Sequence, residues 1–434
     1  MTDRVVANRA ILRLAIPALG TLAIDPLLTL ADTAFVARLG VGELAALGVD
    51  TALLGFAFFG FNFLAYATTP LVAQALGRGD RPQARRWVGD ALILAVGLGV
   101  LAAICIELLG PRLVGLMGAS GEVADLAVSY LRLRVLATPA VLLVTAGHGA
   151  FRGHQDMKTP LRVALGVNLI NLALDPILIF GFGFGIQGAA LATVVAQVIG
   201  ALWFVRLLRN RDMADRPSAF RTAIPTILAL ARNGALVSLR TGALLLGLTY
   251  AAATATRLGD PQIAAHQVVM QVWLLAAMVS DSFAIAAQAM VGDVAGGGSN
   301  SQLNALVSKL LVFGLGTGVL LLVAFVAGGP AIGVLVDDPV TAELAVSAAR
   351  VAGWMMPVAT LVFVGDGIFF GLLAFGTVFA STTAGATTLV GLVALTTLGE
   401  SLDGIWWAFG AMLVARGMVF VLGYRRSIRM VVRS

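Results

Sequence analysis

Residues 10–36 read AILRLAIPALGTLAIDPLLTLADTAFV, an apolar run whose only charged residues are Arg13, Asp25 and Asp32. About 20 mostly apolar residues in a helix are enough to cross a bilayer. This stretch is therefore read as a spanning helix. Basic residues precede it, but no small-residue cleavage site follows and the run is too long for a signal peptide, so it is expected to be retained as the first helix. Eleven further apolar runs follow, punctuated by Gly, Pro and charges, and begin near Leu44, Ala91, Val123, Leu161, Ile186, Ile227, Ile263, Leu303, Ala342, Val378 and Ile405. Composition agrees. The 434-residue chain is 59% hydrophobic and 12% charged, with a mean hydropathy of +0.94. A soluble domain carries about twice that share of charge, so lipid must be the solvent for most of the chain. The fold class is an all-α membrane protein of about twelve transmembrane helices, and a β-barrel does not follow.

The basic residues fall almost entirely in alternate joints: Arg4, Arg9 and Arg13; Arg78, Arg81, Arg85 and Arg86; Arg152, Lys158 and Arg162; Arg206, Arg209, Arg211, Arg216 and Arg221; Arg425, Arg426, Arg429 and Arg433. By the positive-inside rule these joints and both termini are expected in the cytoplasm, with the protein in the plasma (inner) membrane. The net charge of +6 is thus spent on topology, and nucleic acid is not an expected partner. Cys105 is the single cysteine, which removes intrachain disulfides and cysteine metal clusters from consideration.

A duplication runs through the chain. Arg38-Leu39-Gly40 followed by Leu44-Ala45-Ala46 returns at an offset of 219 as Arg257-Leu258-Gly259 followed by Ile263-Ala264-Ala265. Gly149 and Gly153 return as Gly367 and Gly371, and Gly185-Ile186 as Gly404-Ile405. The expected organisation is an N-lobe over residues 1–209 with helices 1–6, a polar cytoplasmic linker over 210–224, and a C-lobe over 225–434 with helices 7–12. An even number of spans per repeat makes the halves parallel, a plan shared by many secondary transporters.

Carboxyl groups inside a membrane are costly and usually face a bundle interior or a wet cavity. Asp25 and Asp32 lie two turns apart on one face of the first helix. Asn168, Asn171 and Asp175 form a polar stripe on the fifth, and Thr193 and Gln197 a weaker one on the sixth. Asp281 and Asp366 are the second-half acids. Asp25-Pro26 and Asp175-Pro176 pair an acid with a helix-breaking residue, a combination that frees carbonyls for an ion or hinges a helix. A desolvated carboxyl group holds a proton more readily and can act as a coupling site. The same oxygens would suit sodium, and the residue pattern leaves H+ and Na+ both open as coupling ion, with H+ favoured. His148 lies within the fourth span and is a candidate titrating group; His154 is read as a solvated joint residue. Met270, Met278, Met290, Met355 and Met356, with Trp273 and Trp354, are read as lipid-facing packing, with the lining of an adaptable cavity as the alternative, and Trp406 and Trp407 as an interfacial belt. No Ser/His/Asp triad, HExxH, Walker loop or dinucleotide fingerprint occurs. The chain is expected to be a transporter rather than an enzyme, with no cofactor and no resident metal.

Asp25-Pro26 with Asp32-Thr33-Ala34-Phe35-Val36 and Glu43-Leu44-Ala45-Ala46 resembles the first-helix signature of the multidrug and toxic compound extrusion (MATE) family, in its DinF branch and the related plant members. The resemblance continues through Gly149–Gly153, Asn171–Pro176, Ala265-His266-Gln267, Asp281 with Gln288, and Phe363–Gly367. It implies a V-shaped exporter of two six-helix lobes that exchanges organic compounds for protons or sodium by alternating access. It puts the coupling aspartate at Asp32, with Asn171, Asp175 and Thr193 as its polar companions and bending of the first helix on protonation. Asp25, Asn168, Gln197, His148, Asp281, Gln288 and Asp366 remain secondary or substrate-lining candidates. His148 stands where the family commonly has glutamine. The expected partners are a small, preferably cationic organic substrate and the bilayer, with the chain acting as a monomer. The rival readings are an organic-acid exporter and a lipid or lipid-linked-sugar flippase, the latter needing mid-span basic residues such as Arg240, Arg132 and Arg134.

Overall fold

The computed structural model describes residues 8–215, 220–334 and 336–433. Of the linker expected over 210–224, residues 216–219 lie outside the described residues. The first half holds α1 (Asn8–Val36), α2 (Val41–Phe61), α3 (Phe63–Gly77), α4 (Arg81–Leu116), α5 (Gly121–Arg134), α6 (Thr138–Gly153), α7 (Lys158–Pro176) and α8 (Gly185–Asn210). The second holds α9 (Phe220–Leu258), α10 (Asp260–Gly297), α11 (Asn300–Val334), α12 (Pro339–Gly371), α13 (Phe375–Leu395) and α14 (Leu402–Arg433). No strand occurs among the described residues. Eleven stretches are helical, long and apolar enough to cross a membrane. The remaining expected span, near Leu44, is occupied by α2, whose 21 residues reach about 30 Å, continued by α3. Two compact units emerge from the packing, one of Gly20–Gly234 and one of Met1–Leu19 with Ala235–Ser434.

Local chemistry places the helix ends. Asp80 accepts a hydrogen bond from the Gln83 N–H at 2.9 Å at the start of α4. Asp338 accepts from the Thr341 hydroxyl at 2.6 Å and the Thr341 N–H at 2.8 Å at the start of α12, and these bonds hold its carboxyl below the usual carboxylate range. The two acid–proline pairs behave differently. α1 runs unbroken through Pro26, so the break expected there does not form; the Thr29 hydroxyl donates to the Asp25 carbonyl at 3.1 Å. At Pro176 α7 ends and a π turn, Ile177–Gly181, takes over.

The duplication is visible in three dimensions. A Cβ on Gly149 would come within 2.9 Å of Thr68 Cβ and 3.0 Å of Ala65 Cα, and one on Gly153 within 2.7 Å of Val72 Cβ. These glycines let α6 lie directly on α3. In the second half Gly367 presses on the Ala284 backbone and a Cβ on Gly371 would stand 2.8 Å from Val291 Cβ, each contact displaced by 218 or 219 residues. Gly99 against Pro139 recurs as Gly318 against Pro357. Gln155 and Leu373, at matching places after α6 and α12, both adopt φ of 57°.

Two expectations about packing are corrected. Trp406 is no interfacial residue: it is fully buried against His266, Trp273 and Phe409, whereas Trp407 is half exposed. Met290, Met355, Met356 and Trp273 lie in the core rather than towards lipid; Trp354 is exposed. The period of a helix says which residues share a face, and the identity of the neighbour on that face decides whether it is lipid or protein.

Candidate functional site

α1, α7 and α8 carry the polar stripes that the sequence singles out, and within the unit Gly20–Gly234 they meet. Asn171 and Asp175 are completely buried, and Thr193 nearly so. Asp32 and Asp175 lie close enough to act on each other electrostatically, and neither Asp175 oxygen has a hydrogen-bond donor among the described residues. The Asn171 amide satisfies its surroundings in one orientation: Nδ2 donates to Asp32 Oδ1 at 3.0 Å and Oδ1 accepts from the Thr193 N–H at 3.2 Å. The Thr193 hydroxyl donates to the Ala189 carbonyl at 3.0 Å. Four side chains separated by up to 161 positions thus form one network.

A cavity of about 300 Å³ opens beside this network, lined by Asp25, Asp32, Thr51, Tyr130, Arg134 and Gln197 among others. Arg134 supplies the positive charge near Asp32, which sequence neighbours do not provide before Arg38. Its guanidinium lies 5.8 Å from the centre of the Phe58 ring, and its Nη1 is buried with no hydrogen-bond partner among the described residues. Tyr130, Thr51 and Asp50 were not singled out by sequence. Asp50 alone carried a signal, an acid in the middle of an apolar run.

The remaining first-half candidates form a second group. Asp25 is accessible and lies against Asn168, with Arg152 in electrostatic reach. Asn168 also donates to the Ala164 carbonyl at 2.7 Å. His148 packs edge-on against Phe204 at 5.3 Å and has Arg152 nearby. Arg152, in the last turn of α6 beside the joint, is buried, 9% exposed. His154 is likewise more than solvated: its Nδ1 is 2.9 Å from the Ala150 carbonyl, and burial lowers its pKa, only partly offset by that bond. Asp156, in the same joint, accepts from Thr159 at 2.6 and 3.0 Å and from Arg211 at 2.8 Å. Burial pushes it up, but these bonds outweigh burial and hold it below the usual carboxylate range.

The second half is organised differently. Arg416 Nη2 donates to both oxygens of Asp366 at 2.8 and 2.7 Å, and Arg240 Nη2 donates to the same carboxylate at 2.5 Å. Arg240 Nε reaches Thr382 Oγ1 at 3.3 Å, and Asp281 lies in electrostatic reach of Arg416. Gln288 is buried in α10. Asp366 is thus spent on two guanidinium groups. Arg132, another basic candidate, pairs with Glu107 at 3.3 Å. Among the described residues no group of three His, Cys, Asp or Glu side chains could hold a metal ion.

A family model described as MatE matches residues 17–177 and again 244–394, one match per repeat. Protein DETOXIFICATION 44, chloroplastic, of Arabidopsis thaliana is 34% identical over 91% of this chain and 78% of its own. DNA damage-inducible protein F of Escherichia coli (strain K12) is 32% identical over 68% of this chain and 66% of its own. The crystal structure of the Vibrio cholerae MATE transporter VcmN in the bent form aligns with a TM-score of 0.91 at 18% identity, covering 99% of this chain and 98% of that one. That last likeness is one of fold.

Proposed function

This chain belongs to the MatE family, multi-span membrane proteins that act as secondary transporters and not as enzymes, and from that premise we propose that it is a proton-coupled antiporter exporting small organic cations. The observation that carries the reading is the network of Asp32, Asn171, Asp175 and Thr193 on the wall of a cavity. A proton held between Asp32 and Asp175 lowers the pair's negative charge by one. Its release leaves negative charge facing the cavity, where an organic cation offsets it. Proton and substrate then antagonise each other's binding, as antiport requires, with a coupling typically of about 1–3 kcal/mol. The two six-helix lobes would alternate access, with both termini in the cytoplasm and the protein in the plasma membrane as a monomer.

A second reading, export of organic acids, is favoured by one observation: Arg134 brings a guanidinium with a buried, unpartnered nitrogen to the cavity wall. The flippase reading loses its main support, because Arg240 is committed to Asp366.

The test is efflux of ethidium, a fluorescent organic cation, from proteoliposomes under imposed pH or sodium gradients, for wild type and Asp32→Asn. Efflux driven by the pH gradient and lost in the variant is the expected result. Wild-type rates in Asp32→Asn would remove Asp32 from the coupling site, and drive by sodium alone would reassign the ion.

A further inference from the structure

The buried group that this mechanism leaves unused is Asp50. It sits in the middle of α2 with no exposed surface, and neither carboxyl oxygen has a hydrogen-bond partner among the described residues. One turn to either side on the same helix face, Ala46, Leu47 and Leu54 belong to an apolar cluster completed by Val36, Val114 and Ile179. Leu47, Thr51 and Leu54 also line the cavity that holds Asp32, so Asp50 stands one layer behind the cavity wall. An ionised carboxylate in such a layer, without a donor or counter-ion, costs far more than packing could return. In this arrangement the group is a neutral acid.

Its surroundings connect it to the coupling network. α2 packs on α5 and α4. From α5, Tyr130 and Arg134 face this region, and Tyr130 lies within electrostatic reach of Asp32, Asp50 and Asp175 as well as of Arg134. On α4, Glu107 is turned to Arg132, and among the described residues no charged side chain acts on Asp50 itself. Tyr130 is thus the common neighbour of three carboxyl groups and borders the cavity itself.

The second repeat shows that the fold does not ask for an acid here. At the offset of 219 set by Leu44-Ala45-Ala46 and Ile263-Ala264-Ala265, the counterpart of Asp50 is Val269, which is also fully buried. The counterparts of Asp32, Asn171 and Asp175 at the same offset are Ala251, Val390 and Ala394. The unpartnered acid occurs in the repeat that carries the coupling network and is replaced by a packing residue in the repeat that does not.

We propose that Asp50 is a second proton-carrying carboxyl group of the transport cycle. It holds its proton while the α2 wall is closed, releases it to solvent in the Asp32 cavity when that wall opens, and is reprotonated from solvent on the other side of the cycle.

This rests on the proton-coupled reading above, and its test separates the two. Proteoliposomes carrying an internal pH-sensitive dye report protons moved per ethidium for wild type, Asp50→Asn and Asp50→Val, beside ethidium binding to the purified full chain. The expected result is ethidium binding within about 2-fold of wild type, with about one proton fewer moved per ethidium and a shallower pH dependence of the rate. A wild-type proton-to-ethidium ratio in Asp50→Asn would overturn the inference and leave the Asp32 reading standing. Wild-type efflux without proton movement would overturn both. Asn is nearly isosteric and Val is the residue of the other repeat, so failure of both variants to fold would make Asp50 a structural acid and also overturn the proposal.

Discussion

Asn171 is the residue on which the coupling network turns, because its one amide serves a carboxyl group and a backbone N–H at once. Asn171→Leu keeps the approximate volume and removes both bonds. A hydrogen bond to a charged group is worth about 1.5–3 kcal/mol, which predicts a loss of roughly 10- to 100-fold in the initial rate of pH-driven ethidium efflux. Thr193→Ala should cost less, because the backbone N–H of residue 193 survives. Equal rates in Asn171→Leu and wild type would mean that the amide only fills space. The members of this network were legible because each is a polar residue in an apolar run at helical spacing. Their partners were not. Nothing in the order of residues says that α5 brings Arg134 and Tyr130 to Asp32, or that Arg152, at the end of α6, is buried rather than solvated.

At the level of elements, the closest helix contacts are set by glycines that recur in both repeats. Adding a methyl group to a closely packed interface forces backbone shifts that cost about 1–3 kcal/mol. Gly149→Ala would push on Thr68 and Ala65, and Gly367→Ala on the Ala284 backbone. Both should lower the midpoint of thermal unfolding in detergent by several degrees, Gly367→Ala more, since backbone yields less than a side chain. Gly316→Ala, where nothing lies within 4 Å of the added atom, is the control and should be neutral or slightly stabilising. Equal midpoints for Gly149→Ala and Gly316→Ala would show that α3 and α6 have room to separate. The repeat offset was readable from these same glycines, since small residues are what close approach demands. The fate of the prolines was not: Pro26 and Pro176 both follow an aspartate, yet α1 stays continuous and α7 gives way to a π turn. Each proline withholds the N–H that would serve the carbonyl four residues back, at Leu22 or Leu172, and the order of residues does not say which helix absorbs that loss.

Across the whole molecule, one architecture has been used twice for opposite electrostatic ends. In the first repeat, acids are left short of partners: Asp32 and Asp175 share a site and Asp50 has none. In the second, Asp366 occupies the place of His148 at an offset of 218 and is saturated by Arg240 and Arg416. Asp366 is held in place by two guanidinium groups, whereas Asp32 has only the Asn171 amide among the described residues. The two acids should therefore fail in different ways. Asp366→Asn strands two buried guanidinium groups, a kind of change that costs about 3–5 kcal/mol, so the yield of folded protein and the unfolding midpoint should fall sharply, while whatever folds still responds to the pH gradient. Asp32→Asn should do the reverse, leaving the midpoint near wild type and removing the response. Unfolding midpoints and pH-driven ethidium efflux measured on both variants decide it. If Asp366→Asn were as stable as wild type and uncoupled from the pH gradient, the ion pairs of the second half would belong to the coupling machinery, and the division of labour between the repeats would have to be abandoned.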